Sequence, residues 1–304
     1  MISTKQLIYA LAVEKTLHFK KAAETCNISQ SALSTALHEL EKQLGFQLFE
    51  RDNKKVLVTP IGRQVLDKAR QIKQTLDEIK QLADSQKAPL SFAMTIGVIP
   101  TIGPYLLPKL LPRLTTEYPH LKLKIIEEQS HTLVEMVRQG EIDTAILALP
   151  FPCDGLLTFE FWKEDFYWVT HEDDPNANLT EVESKDFDPE TLMLLKDGHC
   201  LKDQALAVCK LADNGGRFSV GATSLNTIMP MVAAKMGTTL IPNMAREQLI
   251  SSNGKLKAVH LNEPGPHRTL AFILRPNYAG LNSIEKLMAI CEKEMQSIQL
   301  GSQK

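Results

Sequence analysis

No stretch of this sequence approaches the ~18 consecutive apolar residues that a membrane-crossing helix needs, so no membrane partner is expected. The opening, Met1 to Leu7, lacks a charged segment running into an apolar one, which argues against a secretory leader. The five cysteines are odd in number and contain no Cys-x-x-Cys pair. They make neither a secreted disulfide framework nor a dithiol catalyst of the usual spacing. The expected compartment is the cytoplasm, where thiols rest reduced and a disulfide is an event. The eight histidines are scattered without the paired spacing of a zinc site, and Gly215-Gly216 is a loop rather than a phosphate cradle. No metal and no cofactor is expected. The net charge is small, -2, but uneven: residues 1–90 carry 14 Lys and Arg against 10 Asp and Glu, the rest 20 against 26. A mildly basic head on an acidic body permits nucleic acid at one end.

What is present is a chain of 304 residues, 43% of them hydrophobic, enough for two or three cores. Near its start Phe19, Ala22, Ala23 and Cys26 recur at helical spacing, with Lys20, Lys21 and Glu24 on the other side. Ser29 can cap a second helix that buries Leu33, Ala36 or Leu37, Leu40 and Leu44 and stops at Gly45. Two short helices and a tight turn describe a helix-turn-helix. Its second helix offers Ser29, Gln30, Ser31, Ser34, Thr35 and His38, short hydrogen-bonding groups suited to base edges in a major groove. Lys20, Lys21, Arg51, Lys54 and Lys55 are candidates for phosphates. Each of these residues is also compatible with an ordinary solvated helix face.

The series Ala22-Ala23, Ser29-Gln30-Ser31, Leu33-Ser34, Leu40-Glu41, Leu44-Gly45, Leu48-Phe49, Arg51 and Thr59-Pro60-Ile61-Gly62 resembles the winged helix-turn-helix of the LysR-type regulators. That resemblance implies double-stranded promoter DNA as partner and RNA polymerase as the machinery addressed. Beyond it, Thr59 caps and Pro60 opens a long helix. Val65, Ala69, Ile72, Leu76, Ile79 and Ala83 follow a period of 3.5, the seam of a helix that pairs with another. Residues 1–59 are read as the DNA-binding domain, 60–88 as a dimerising linker helix, and 89–304 as a regulatory domain.

In the regulatory domain, strands at 94–99, near 121–125 and at Thr144–Leu149 alternate with helices at Pro104–Glu117 and Thr132–Gln139. This order implies a parallel sheet with right-handed crossovers. A second set comprises Tyr167–Thr170, Met193–Leu195, a cysteine-bearing helix, Val220–Ala222, a helix from Ser224 and Thr239–Ile241. A strand at Thr269–Leu274 and a helix near Asn282–Gln296 return to the first. Lobe I is thus placed at about 90–163 and 268–304, lobe II at about 164–267. The fold class is α+α/β: a winged helix-turn-helix, a linker helix and a two-lobed α/β domain like a periplasmic binding protein. Ligands of such sheets bind beyond the carboxyl ends of strands, where Thr101, Ser130 and His131 fall. Capping is an equally good account of these hydroxyls.

Cys200 and Cys209 stand nine residues apart in a stretch free of Pro and Gly. If that stretch is helical, the pair sits about 13–14 Å apart, and a disulfide, which needs Cα atoms within roughly 7 Å, requires unwinding. Asp197 or Gly198 would cap the helix and put Cys200 in its first turn, where a thiolate is favoured; Lys202 and His199 add positive or polarisable neighbours. The alternative is that both are small core residues, the reading also given to Cys26, Cys153 and Cys291.

The segments Gly97–Pro108, Asp197–Ala205 with Cys209, and Ala222–Leu225 resemble the peroxide-sensing activators among the LysR-type regulators. That likeness implies a peroxidatic Cys200 and a resolving Cys209. Thr101, His199, Asp203 and Arg268, with Ser130, would line or support a pocket for hydrogen peroxide. It also implies a homodimer or homotetramer and reduction by glutaredoxin or thioredoxin. Three departures stand out. Ser130 replaces a usual threonine, Ser219 a frequent histidine, and Ser31-Ala32 a usual Pro-Thr. Two other readings remain open: a regulator answering to a small organic effector between the lobes, with cysteines dispensable, and a two-cysteine thiol peroxidase. A winged head and a pairing seam argue against the enzyme.

Overall fold

The computed structural model describes residues 1–52, 55–85, 89–211, 224–251 and 254–301, with side-chain surroundings for all of these except 51, 52, 55, 81–85 and 299–301. Lys54, Ser219, the Gly215-Gly216 loop and the strand expected at Val220–Ala222 lie outside the described residues. The chain divides into two compact units, Met1–Ala83 and Asp84–Lys304.

In the first unit, α1 (Thr4–Thr16) opens on a capping box between Ser3 and Gln6. The periodicity reading misses this helix because its apolar residues, Leu7, Ile8, Ala10 and Leu11, do not keep to one face. Next come α2 (Phe19–Thr25) and α3 (Gln30–Leu44). The Ser29 hydroxyl accepts the Ala32 N–H at 3.2 Å, and Gly45, at φ 79, closes α3 in the left-handed region. Leu33, Leu37 and Leu40 are fully buried, each contributing about 1.5–3 kcal/mol of transfer free energy. Of the two alternatives, Leu37 rather than Ala36 is the core residue.

The wing is an antiparallel hairpin of β1 (Phe49–Asp52) and β2 (Lys55–Val58). The buried Glu41 carboxylate accepts the N–H groups of Leu48 and Phe49 at 2.8 and 3.3 Å, fastening the wing to α3. Thr59 then caps α4 (Pro60–Ser85) by accepting the Gly62 N–H at 2.9 Å. Position 62 requires glycine, since a Cβ there would run into the carbonyl of Leu48. Along α4, Ala69 is buried and Val65 half-buried, whereas Ile72 and Ile79 are 42% and 57% exposed. The apolar seam therefore leaves the unit's own core after its first turns.

The second unit runs β3 (Ala93–Val98), α5 (Gly103–Glu117), β4 (Lys122–Glu127), α6 (Ser130–Arg138), β5 (Thr144–Leu149), β6 (Leu157–Glu164), β7 (Phe166–His171), β8 (Glu181–Val182), α7 (Cys200–Val208), α8 (Leu225–Ala233), β9 (Thr239–Pro242), α9 (Asn243–Ile250), β10 (Leu256–Leu261), β11 (Arg268–Leu274) and α10 (Leu281–Gly301). One sheet has the order β4-β3-β5-β11-β6, the other β8-β10-β7-β9. In the first, β3 is parallel to β4 and β5, as the strand–helix alternation implies. The sheet is nevertheless mixed: β11 runs antiparallel to both β5 and β6. The reason is connectivity, because β6 follows β5 by a short link with no crossover helix and β11 arrives from the other lobe. In the second sheet β7 is antiparallel to β9 and β10. Met193–Leu195 is not a strand; the described pairing there is an isolated bridge between Leu192 and Thr238. The chain passes between the two sheets at Asp165 and again over residues 262–267.

Candidate functional site

In the first unit, Lys20 and Lys21 are exposed on α2, and Gln30, Ser31, Thr35 and His38 on α3, with Ser34 half-buried between them. Ser29 is occupied as the helix cap, and its hydroxyl lies 3.0 Å from that of Ser31. Arg51 and Lys55 belong to the wing strands, with side chains outside the described residues. Gln30, Ser31 and Thr35 lie in the first two turns of α3 and His38 in its third.

In the second unit, α7 begins at Cys200 itself, with His199 as N-cap and no side-chain bond to the backbone. The expected caps, Asp197 and Gly198, lie two residues and one residue too early. Gly198 has φ +91, a left-handed backbone unlike the extended conformation of a cap, and a Cβ there would meet Gln129 Oε1 at 2.7 Å. Asp197 is drawn off by Lys202, whose Nζ lies 2.7 Å from its carboxylate. Lys202, two residues beyond Cys200, is thus engaged by the Asp197 carboxylate.

Cys200 is 3% exposed. Burial pushes its thiol pKa upward, while the Ser130 hydroxyl, the Arg268 charge and the Ala148 backbone pull it down and Asp203 adds an upward push. Desolvation thus outweighs the thiolate preference expected of a helix start. The groups that oppose it come from lobe I: Ser130 opens α6, Ala148 is near the end of β5, and Arg268 begins β11. The Arg268 side chain is wholly buried. Its Nε donates to Glu164 Oε1 at 2.8 Å, Nη1 to the Thr101 hydroxyl at 3.2 Å, and Nη2 to the Thr101 carbonyl at 3.2 Å. Glu164 Oε2 in turn accepts the Met244 N–H of α9 at 2.8 Å.

Around this sulfur several buried polar atoms have no hydrogen-bond partner among the described residues: Ser130 Oγ, His199 Nε2 and Gln204 Oε1. Other buried polar atoms without a partner lie elsewhere among the described residues, Trp168 Nε1, Asn243 Oδ1 and Tyr278 Oη among them. Burial, and then Lys196, lower the His199 pKa, so its imidazole is neutral at pH 7. Gln204 donates from Nε2 to the Ala148 carbonyl at 3.0 Å. Asp203, by contrast, is exposed on the outer side of α7 and reaches the thiol only through its charge.

Cys209 closes α7 as its C-cap and is 4% exposed; both thiols are free. Burial, and then Glu263, push its pKa up to about 12. Cys291 is sealed in the core, and Cys26 and Cys153 are half-buried, all three with pKa values raised first by burial. Sequence reasoning misses Glu164, Gln204 and Met244. Gln204 carried a usable signal, since it lies four residues after Cys200 and so shares its helix face. Glu164 and Met244 carried none, because only the tertiary fold brings them to Arg268.

The chain matches the model for bacterial regulatory helix-turn-helix proteins of the lysR family over residues 4–63 and that for the LysR substrate binding domain over residues 90–296. It belongs to the LysR family, and is a DNA-binding transcriptional regulator. It is 35% identical to a hydrogen peroxide-inducible genes activator of Dickeya chrysanthemi, over 97% of this chain and 96% of that one. It is 36% identical to the HTH-type transcriptional regulator EstR of Acinetobacter baylyi, over 90% of each. Its fold matches full-length OxyR of Pseudomonas aeruginosa, solved with a cysteine-to-aspartate substitution, at a TM-score of 0.80 and 32% identity, covering 96% and 95% of the two chains.

Proposed function

We propose that this regulator senses hydrogen peroxide through Cys200 and switches transcription of oxidative-stress genes. Relatives of two kinds are similarly identical to it, so identity alone does not choose the signal. The observation that carries the reading is the free, buried Cys200 sulfur beside Ser130, Arg268 and unsatisfied polar atoms, with a second free thiol at the far end of the same helix.

The chemistry balances as follows. The Cys200 thiolate attacks one peroxide oxygen; the O–O bond breaks, and the departing hydroxide takes up a proton to leave as water. Cys200 is thereby oxidised to a sulfenic acid and peroxide is reduced. The Arg268 charge, held by Glu164 and Thr101, favours the thiolate, and the Ser130 hydroxyl is available to the reacting oxygens. Cys209 then attacks the sulfenic sulfur, the S–O bond breaks and a second water leaves. An intact α7 keeps the two thiols about 13–14 Å apart, so the helix must unwind. Its N-terminal end packs on lobe I, which links that unwinding to the packing of the lobes. The exposed stripe of Ile72 and Ile79 on α4 supports pairing of linker helices in a homodimer or homotetramer. Promoter DNA, RNA polymerase, a glutaredoxin or thioredoxin reductant and a cytoplasmic setting complete the reading. Among the described residues no helix is long and apolar enough to cross a membrane.

Mass spectrometry of the alkylated protein, before and after one equivalent of peroxide, tests it. A new Cys200–Cys209 link with an altered DNA footprint is expected. Unchanged thiols with intact DNA binding would instead favour an organic effector.

A further inference from the structure

The strand that delivers Glu164 to Arg268 sends its neighbours the other way. Side chains alternate along an extended chain, so with Glu164 turned toward Arg268, Lys163 and Asp165 face the opposite side of the hinge. There they line a cleft of about 380 Å³ together with Trp162, Tyr167, Asn243 and Gly265. Both crossings between the lobes contribute: Asp165 belongs to the first, Gly265 to the second, and Asn243 opens α9. Several of its groups are held in place. One Asp165 carboxylate oxygen lies 3.3 Å from His260 Nε2. The other packs so close to Gly265 that a Cβ there would meet it at 2.6 Å. The Tyr167 ring is fixed between Arg246, 4.6 Å from its centroid, and the edge of the His260 ring at 5.4 Å. The Asp165 carbonyl accepts the Asn243 N–H at 3.1 Å, whereas Asn243 Oδ1 is buried without a partner among the described residues. A buried acceptor left unmade is costly, and a bound donor removes that cost.

We infer that this cleft binds a free α-amino acid, with its ammonium between the Asp165 carboxylate and Asn243 Oδ1, its carboxylate at Lys163 and its side chain against Trp162. Asp165 repels an ordinary anion and Lys163 an ordinary cation, so the pair selects a molecule that carries both charges. Lys163 is available for this: its side chain is 62% exposed, and its contact with Glu160, at 3.8 Å, is a weak surface pair. Two positions along an extended chain set the acid and the base about 6.6 Å apart at the backbone. The ammonium and carboxylate of an amino acid, about 3 Å apart with a hydrogen bond of about 2.8 Å at each end, match that spacing. Because the ligand touches both crossings, it favours the arrangement of the lobes that keeps them in place. The site lies apart from both thiols and stands whether or not Cys200 senses peroxide.

The full-length reduced protein is titrated with each protein amino acid in turn, up to about 10 mM, which reaches even a weak millimolar site. Fluorescence of Trp162, which lines the cleft, reads occupancy, and the unfolding temperature of the second unit reads it independently. At least one amino acid shifts both. Its methyl ester and its N-acetyl derivative, each lacking one charge, bind more weakly. Asp165→Asn and Asn243→Ala each raise its Kd roughly tenfold to a hundredfold, the loss of one hydrogen bond to a charged group. Lys163→Met, at an exposed position, weakens the amino acid but not its methyl ester, which assigns the carboxylate to Lys163. If no amino acid moves either signal, the inference is overturned. An amino acid bound undiminished by Asp165→Asn overturns it as well, and loss of that binding in Thr101→Val would seat the ligand on the opposite face of the hinge.

Discussion

The two ends of α7 hold the same side chain under nearly the same cover, 3% exposed at Cys200 and 4% at Cys209, yet in opposite surroundings. At the first end a buried guanidinium and a hydroxyl work against desolvation; at the other an acid works with it. Burial raises both thiols, and the largest neighbouring charge opposes that rise at Cys200 and adds to it at Cys209. Reactivity in this helix is therefore written in the lobe it touches and not in the helix.

The largest test of that asymmetry is Cys200→Ser. The peroxide-dependent footprint should be lost entirely, with Cys209 still free to alkylating reagent in the denatured protein after peroxide treatment. Oxidation of Cys209 in this variant would show that the two ends are equivalent and would sink the comparison.

Next in size is Arg268→Met. Removing one partner of a buried ion pair leaves Glu164 charged and unpaired, which costs about 3–5 kcal/mol. The two tryptophans, Trp162 and Trp168, both belong to the second unit, so urea unfolding followed by their fluorescence reads this unit. A loss below about 1 kcal/mol, the scale of an exposed pair, would mean that the pair is not dry and that the charge beside Cys200 is screened. Ser130→Ala is smaller. Removing one hydrogen-bonding group from a developing charge should slow Cys200 oxidation about tenfold, or roughly 1.4 kcal/mol. An unchanged rate constant in stopped-flow would assign Ser130 to helix packing alone.

Much of this arrangement was legible in the residues, and what was not has a physical cause. The winged head could be read because its signals are local: Ser29 caps, Gly45 terminates, and Leu33, Leu37 and Leu40 repeat within one helix. The 200–208 helix could be read for the same reason. The antiparallel β11 and the strands β6 and β10 could not, since strand direction depends on which lobe the chain returns from. In the site, Thr101, Ser130 and Arg268 follow from family resemblance, but resemblance does not carry burial. It therefore hides that desolvation raises the Cys200 pKa and that Asp203 points to solvent. Glu164 was silent in the sequence because an acid's meaning here lies in its cation, 104 residues away along the chain.

The smallest effect concerns stability in alkali. An unfolded Cys209 loses its proton near pH 9, whereas the folded one keeps it until about 12. Across that window the native state binds more protons than the unfolded state, so stability falls as pH rises and is level below it. Cys200 and Cys291, also raised by burial, contribute in the same direction. In Cys209→Ala one of these contributions disappears, and the loss of urea midpoint from pH 8 to pH 11 should be shallower than in wild type. If the two curves keep a constant offset instead, Cys209 ionises in the folded protein as readily as in the unfolded one. The difference between the two ends of α7 would then reduce to the cation beside Cys200.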